Sequence, residues 1–235
     1  MSNEILLILS ILVIYGSLLV FYKLYGKNGL FCFTCIATIS ANIEVLIFVY
    51  AFGMEMTLGN VLFASTFLVT DIISEVYGKK EAKKAVNYGI ATSVVFIIFS
   101  QYWLLYSPVE WNNETFDAMK IIFSGTARSM IASLIVYAIV QKFDVWAYHK
   151  WWDLTKKWNS DSKKYLWIRN NGSTLISQLL NSILFNVGAF YGTEGVDTKT
   201  LLSFIFAGYA IFIITSIADT PFIYLARKIK PIGEK

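Results

Sequence analysis

Long apolar blocks alternate with short polar connections along the whole chain. The blocks run at about 5–22, 29–52, 58–77, 85–107, 119–141, 171–191 and 200–226. Each approaches or exceeds the ~20 residues that carry a helix across a ~30 Å hydrocarbon layer. None shows the sustained apolar–polar alternation of a membrane β-strand. The pattern predicts an all-α, polytopic helical membrane protein with seven transmembrane helices. Composition agrees: 56% of the 235 residues are hydrophobic and only 15% charged, where a soluble domain carries about 25% charge.

The connections alternate in charge. Those at 23–28, 78–84 and 142–170, with the tail from Arg227, hold 17 of the 20 Lys and Arg residues. The N-terminus and the connections near 53–57, 108–118 and 192–199 are acidic instead, with Glu4, Glu55, Glu110, Glu114, Asp117, Glu194 and Asp197. Basic connections stay cytoplasmic. The expected topology in the cell (inner) membrane therefore has its N-terminus outside and its C-terminus inside, which requires an odd number of spans. Glu4 stands where a signal peptide has its basic region, so the first block is expected as a retained helix.

Residues 1–28 read as an additional N-terminal helix. Residues 29–235 read as a six-helix core of two triplets, whose odd number of spans predicts opposite orientations and an inverted repeat. The connection at 142–170 mixes Trp146, Trp151, Trp152, Trp158 and Trp167 with lysines and the lone His149. It reads as an amphipathic cytoplasmic segment at the headgroups, with lipid and not nucleic acid as its partner. Gly188 and Gly192 form a GxxxG pair suited to close helix packing, in a homodimer or within one subunit.

Candidate chemistry lies in the polar groups inside the blocks: Glu44, Asp71, Glu75, Arg128 and Asp219. Each charge at the bilayer centre costs about 2.5–3.5 kcal/mol, so five in one small bundle point to a polar pathway or pocket. Asp71 and Glu75 sit one helical turn apart and repel each other unless a cation or a proton lies between them. Arg128, a proton or a charged ligand could fill that role, and a proton would give a symporter. Glu75 is close enough to its helix end to reach the headgroups; Glu44 is expected mid-span. Asn42 and the stretch Gln178, Asn181 and Ser182 add amides and a hydroxyl, as ligand contacts or as glue between helices. Asp219-Thr220-Pro221 sets an acid beside a proline in the last span.

Enzyme signatures such as HExxH, a P-loop or a dinucleotide fingerprint are missing. Cys32 and Cys35 have no further Cys or His for a metal. No catalytic activity, metal or cofactor is expected.

The segments TDIISEVYGKKEAKKAV (70–86), ARSMIASLIVYAIVQKFDVWAYH (127–149), LWIRNNGSTLISQLLNSILFNVGAFYG (166–192) and ADTPFIYLARKI (218–229) resemble, in order, the motifs of the queuosine precursor transporter family, also called the vitamin uptake transporter family. The resemblance implies import of 7-deazaguanine bases across the inner membrane for tRNA modification. It also implies Asn42, Asp71, Glu75, Arg128, Gln178 and Asp219 as functional positions. The chain departs from the family pattern at Asn181-Ser182, where Asp-Thr is usual, at Phe212, where Lys is usual, and at Glu44, where Gln is expected. A deazaguanine presents adjacent N–H donors that a carboxylate accepts in pairs. Asp71 or Glu44 would read that edge, and Gln178 with Asn181 the rest. The other reading is a substrate-binding membrane subunit that needs a separate energising partner.

Overall fold

The computed structural model describes residues 2–124, 127–158 and 164–232. Its long helices are α1 (Asn3–Glu44), α2 (Gly59–Val76), α3 (Lys79–Trp103), α5 (Ala127–Trp158), α6 (Leu166–Phe190) and α7 (Thr198–Ala226), with a short α4 (Asn113–Ser124) before α5. Six of them are long and apolar enough to cross a membrane. α1 makes two crossings. Gly26 breaks it at φ 58°, ψ −137°, a backbone state that a side chain would strain. Phe21 and Phe33 then face each other with ring centroids 6.1 Å apart, whereas twelve residues of straight helix would separate them by about 18 Å. The chain is a polytopic all-α membrane protein, as the apolar pattern predicts.

Contacts between connections sort them into two faces. Asn3 Nδ2 donates to the Tyr50 carbonyl at 2.8 Å, and Glu4 Oε1 accepts from the Phe52 amide at 3.1 Å. Phe48 packs on Phe190 and Phe204. This is the acidic face. Lys27 pairs with Glu81 at 2.9 Å across the basic face.

Three expected boundaries move. The second block does not stay helical to 52: α1 ends at Glu44, and β1 (Phe48–Ala51) pairs antiparallel with β2 (Met54–Thr57) around a Phe52-Gly53 turn, both residues at positive φ. The aromatic and β-branched run from Ile47 to Phe52 favours strand, and the turn fixes the hairpin. The second shift concerns 142–170. α5 continues as one helix through Trp158, and α6 starts at Leu166. Residues 159–163 lie outside the described residues. Trp146, Trp158 and Trp167 are exposed along this stretch, while Gln141, Asp144, Tyr148, Arg169 and Asn170 are buried in the bundle. Finally, α5 begins at Ala127 instead of 119, because residues 113–124 form the separate α4.

α2 is the central helix. Every residue from Ala64 to Ser74 is buried, as expected of a helix surrounded by others. α5 packs along α6, α6 along α7, and α1 along α2. Gly188 meets Ala132 of α5, where a Cβ would lie 3.3 Å away, so this glycine packs within the subunit.

Candidate binding site

One stripe of α2 orders the centre of the bundle. Phe63, Phe67, Asp71 and Glu75 recur every fourth residue, so they line one face about 6 Å apart in height. Going from the acidic face to the basic face, the stripe reads aromatic, aromatic, acid, acid. Each level recruits side chains of matching chemistry from the neighbouring helices.

At the upper level Phe63 touches Phe67, Tyr137 and Phe212, with centroids 5.7, 6.0 and 6.5 Å apart. Phe67, Tyr137 and Phe212 are buried. A cleft above this layer is lined by Asn60, Ser133 and Asn181, with Phe63 at its floor. Asn181 and Phe212, two of the positions where the sequence reading expects a departure from the family pattern, thus share Phe63 as a neighbour. Ser182, beside Asn181, donates to the Ile205 carbonyl at 2.8 Å and ties α6 to α7.

The middle level is polar. Asp71 accepts from Thr174 Oγ1 at 3.1 Å, but its Oδ1 has no partner. Asp144 of α5 lies beside Ser173 and Ser177 of α6, and Asp219 of α7 faces the Tyr15 hydroxyl of α1. Neither aspartate closes a hydrogen bond. All three aspartates are fully buried, as are Asn170, Ser177 and Gln178. Both side-chain polar atoms of Asn170 and of Gln178 are unpaired, and so is the Ser177 hydroxyl. Buried polar groups are nearly always satisfied, because each unmade bond costs about 1–3 kcal/mol. Asn170, Ser177 and Gln178 lie within four residues of Thr174, the partner of Asp71, which makes this level the candidate site. The hydrogen bonds around it are made: Gln141 donates to Thr66 at 2.6 Å and accepts from Thr70 at 3.2 Å. Asn171 donates to Thr220 at 2.7 Å and accepts from Ser216 at 3.1 Å. These contacts hold α5 on α2 and α6 on α7, and so fix the height of the three aspartates.

The lower level is an ion-paired layer. Arg169 Nη2 lies 3.0 Å from both oxygens of Glu75, and Tyr148 donates to Glu75 at 2.8 Å. Arg227 reaches it at 3.6 Å. Arg169 also donates to the Lys164 carbonyl at 3.1 Å and stacks 4.3 Å above the Trp152 ring. The layer separates the aspartates from the basic face.

Several sequence expectations are thereby resolved in space. Asp71, Gln178 and Asp219 come together at the middle level. Glu75 points away from them to Arg169, so its counter-ion is neither Arg128 nor a cation shared with Asp71. Arg128 is exposed and donates to the Gly188 and Tyr191 carbonyls at 3.0 and 2.6 Å. It satisfies the free carbonyls at the end of α6 and stands apart from the acids. Glu44 is the last residue of α1 and half-buried, not mid-span, because the hairpin begins so soon after it. Asn42 is buried, donates to the Thr38 carbonyl at 2.7 Å and leaves Oδ1 unpaired. Asn181 belongs to the cleft above the aromatic layer. Both cysteines are free, and Thr92 donates to Cys35 Sγ at 3.1 Å.

Sequence reasoning missed Tyr15, Gln141, Asp144, Tyr148, Arg169 and Asn170. One signal was available for α5. Tyr137, Gln141, Asp144, Tyr148, Trp152 and Thr155 follow each other at spacings of three and four, the stripe of an inward-facing helix.

A buried polar level, flanked by aromatics on one side and by ion pairs on the other within a helical membrane bundle, fits the class of membrane proteins that carry polar solutes between their helices. Comparison with known proteins gives the family. Residues 57–226 match the family described as "Putative vitamin uptake transporter", and the chain belongs to it. It is therefore a multi-pass membrane transporter. Over 217 residues it is 35% identical to the "Probable queuosine precursor transporter" of Bacillus subtilis (strain 168), covering 92% of this chain and 91% of that relative. No solved structure matches it.

Proposed function

We propose that the protein imports queuosine precursors, 7-deazaguanine bases, across the cell (inner) membrane as a secondary transporter. The observation that carries this reading is the set of unpaired polar atoms around Asp71, Asp219 and Gln178. A guanine-like edge brings two adjacent N–H donors for a carboxylate, while Gln178 offers a donor and an acceptor for the ring carbonyl and nitrogens. The name of the Bacillus subtilis relative supports the same substrate class. The basic face is taken as cytoplasmic, with the N-terminus outside. The second half of α1 with α2 and α3, and α5 with α6 and α7, are taken as two oppositely oriented triplets that rock about the buried polar level. In this scheme the aromatic layer closes the outside, and Glu75 parts from Arg169 and Arg227 to release the base inside. The driving force is either a proton carried on an aspartate or the ligand's own charge.

The test is precursor feeding in a strain that cannot make its own 7-deazaguanines, with queuosine in tRNA as the readout. Deletion, Asp71→Asn and Gln178→Ala should each lower it sharply. Unchanged queuosine in all three would remove the reading. Proteoliposomes holding only this protein then separate a secondary transporter, which moves labelled base, from a substrate-binding subunit of an energised complex, which only binds it.

A further inference from the structure

A second polar feature lies on the outside of the bundle, at the basic face. A cavity of about 400 Å³ opens between α3 and α5, lined by Lys79, Lys83 and Asn87 of α3 and by Lys142 and Trp146 of α5. On each helix these residues recur every fourth position, so each turns one stripe toward the groove. The buried Val86 and Val145 back it. Farther from the basic face the two helices close on each other, where a Cβ on Gly89 would collide with the Tyr137 hydroxyl.

Three lysines thus converge on one space from two helices, and no carboxylate lines it. Among the described residues none of the three enters an ion pair. Glu81 of α3 is taken by Lys27 and Lys84, and Asp144 of α5 is buried inside the bundle. Lys150 adds one more positive charge, 5.8 Å from the Trp146 ring. Like charges gathered at one place repel each other, and an anion between them turns that repulsion into attraction.

The residues that follow the lysines along each helix say which anion. Away from the basic face the stripe of α3 continues through Val94 and Ile98, and that of α5 through Ile139 and Ile135, all four exposed. Trp146 at the mouth is exposed too, as suits an indole at headgroup depth. A cationic pocket that leads into an exposed apolar strip has the layout of a phospholipid, with phosphate at one end and an acyl chain at the other. A soluble phosphate would make no use of the strip.

We propose that the groove between α3 and α5 is a binding site for one anionic phospholipid. Lys79, Lys83 and Lys142 surround the headgroup phosphate, Asn87 donates to the headgroup oxygens, and an acyl chain lies along Val94, Ile98, Ile135 and Ile139. Basic pockets between membrane helices take acidic headgroups in this way. The bound lipid clasps α3 to α5 and stabilises the folded bundle.

The experiment titrates purified, delipidated protein in neutral detergent with phosphatidylglycerol and with phosphatidylcholine of the same acyl chains. Bound lipid is counted by native mass spectrometry, and Tm is followed in parallel. The expected result is about tenfold or greater preference for phosphatidylglycerol, with a rise in Tm that phosphatidylcholine does not give. Each lysine beside an acidic lipid is worth about fivefold in affinity. Lys83→Gln/Lys142→Gln should therefore weaken phosphatidylglycerol about 25-fold and leave phosphatidylcholine unchanged, while Lys83→Arg/Lys142→Arg keeps the preference. Lys228→Gln/Lys230→Gln removes the same charge outside the cavity and should change binding less than about threefold. Equal affinity for the two lipids overturns the proposal. So does an equal loss in the Lys228/Lys230 variant, which makes the basic face a diffuse charge with no site. Displacement of phosphatidylglycerol by inorganic phosphate at comparable concentration also overturns it and assigns the lysines to a soluble anion. Should the glutamine variant not fold, the lipid preference and the phosphate competition of the unmodified protein still decide. Neither readout involves transport, so failure here leaves the transporter reading standing.

Discussion

The ion-paired layer below the aspartates allows a quantitative test. Arg169 is 1% exposed and the Glu75 side chain 4%, so neither charge has water to fall back on. Arg169→Met removes the cation and leaves Glu75 with the Tyr148 hydroxyl and with Arg227 at 3.6 Å. Glu75→Gln leaves the guanidinium with the Lys164 carbonyl and the Trp152 face. Removing one partner of a buried pair costs about 3–5 kcal/mol, chiefly through the uncompensated charge left behind. Arg227 softens the first loss, which places Arg169→Met near the low end, about 3 kcal/mol. A chain of this size loses about 2–4 °C of Tm per kcal/mol. Thermal unfolding of the purified protein in detergent should therefore fall by about 6–20 °C for the single variants. Glu75→Gln/Arg169→Met removes both charges and should be more stable than either single variant. A double variant whose loss equals the sum of the two singles would refute the coupling. Uptake adds a second readout: in the proposed scheme, where this layer opens during transport, loss of the pair should make the protein leaky.

Other expectations are more local. Gly26→Ala forces a side chain into the φ 58°, ψ −137° state and should cost roughly 1–3 kcal/mol, read as a lower Tm. Arg128→Ala frees two carbonyls at the end of α6 and should lower stability by about 1 kcal/mol, while the folded variant binds base like the unmodified protein; loss of binding would return Arg128 to the site. Asp197 caps α7 through the Thr200 amide at 2.7 Å, and the Thr200 hydroxyl together with that amide holds its carboxyl below the usual carboxylate range. A lowered folded-state value stabilises above the unfolded pKa of about 3.9 and loses its effect as pH falls through the folded value. Asp197→Ala should therefore have a lower Tm than the unmodified protein at pH 7, and the gap should close in acid.

Hydropathy and charge were enough to read the architecture, because lipid leaves the backbone few alternatives to helix. Gly78 and Gly192 mark real breaks, both at positive φ. Asp71, Gln178 and Asp219 were legible because a polar group in an apolar run stands out. Asp144 and Arg169 were not, since they lie among Lys142, Lys150, Lys157 and Lys164, where one more charge carries no contrast. Their burial depends on α5 and α6 continuing past the apolar blocks, which windowed hydropathy does not register. Arg128 is the converse case. It stood out in an apolar block, yet the structure gives it a capping role at a helix end that no one-dimensional pattern reveals.

Tyr15 lies in α1, all of which precedes the family match at 57–226, yet its ring packs edge-on against Phe222 at 5.1 Å and its hydroxyl faces Asp219. Helices far apart in the sequence, α1 and α7, therefore share the packing around Asp219. Tyr15 and Asp144 are made before Asp219, so the inner faces of α1 and α5 wait for α7, and its insertion completes the surroundings of all three residues.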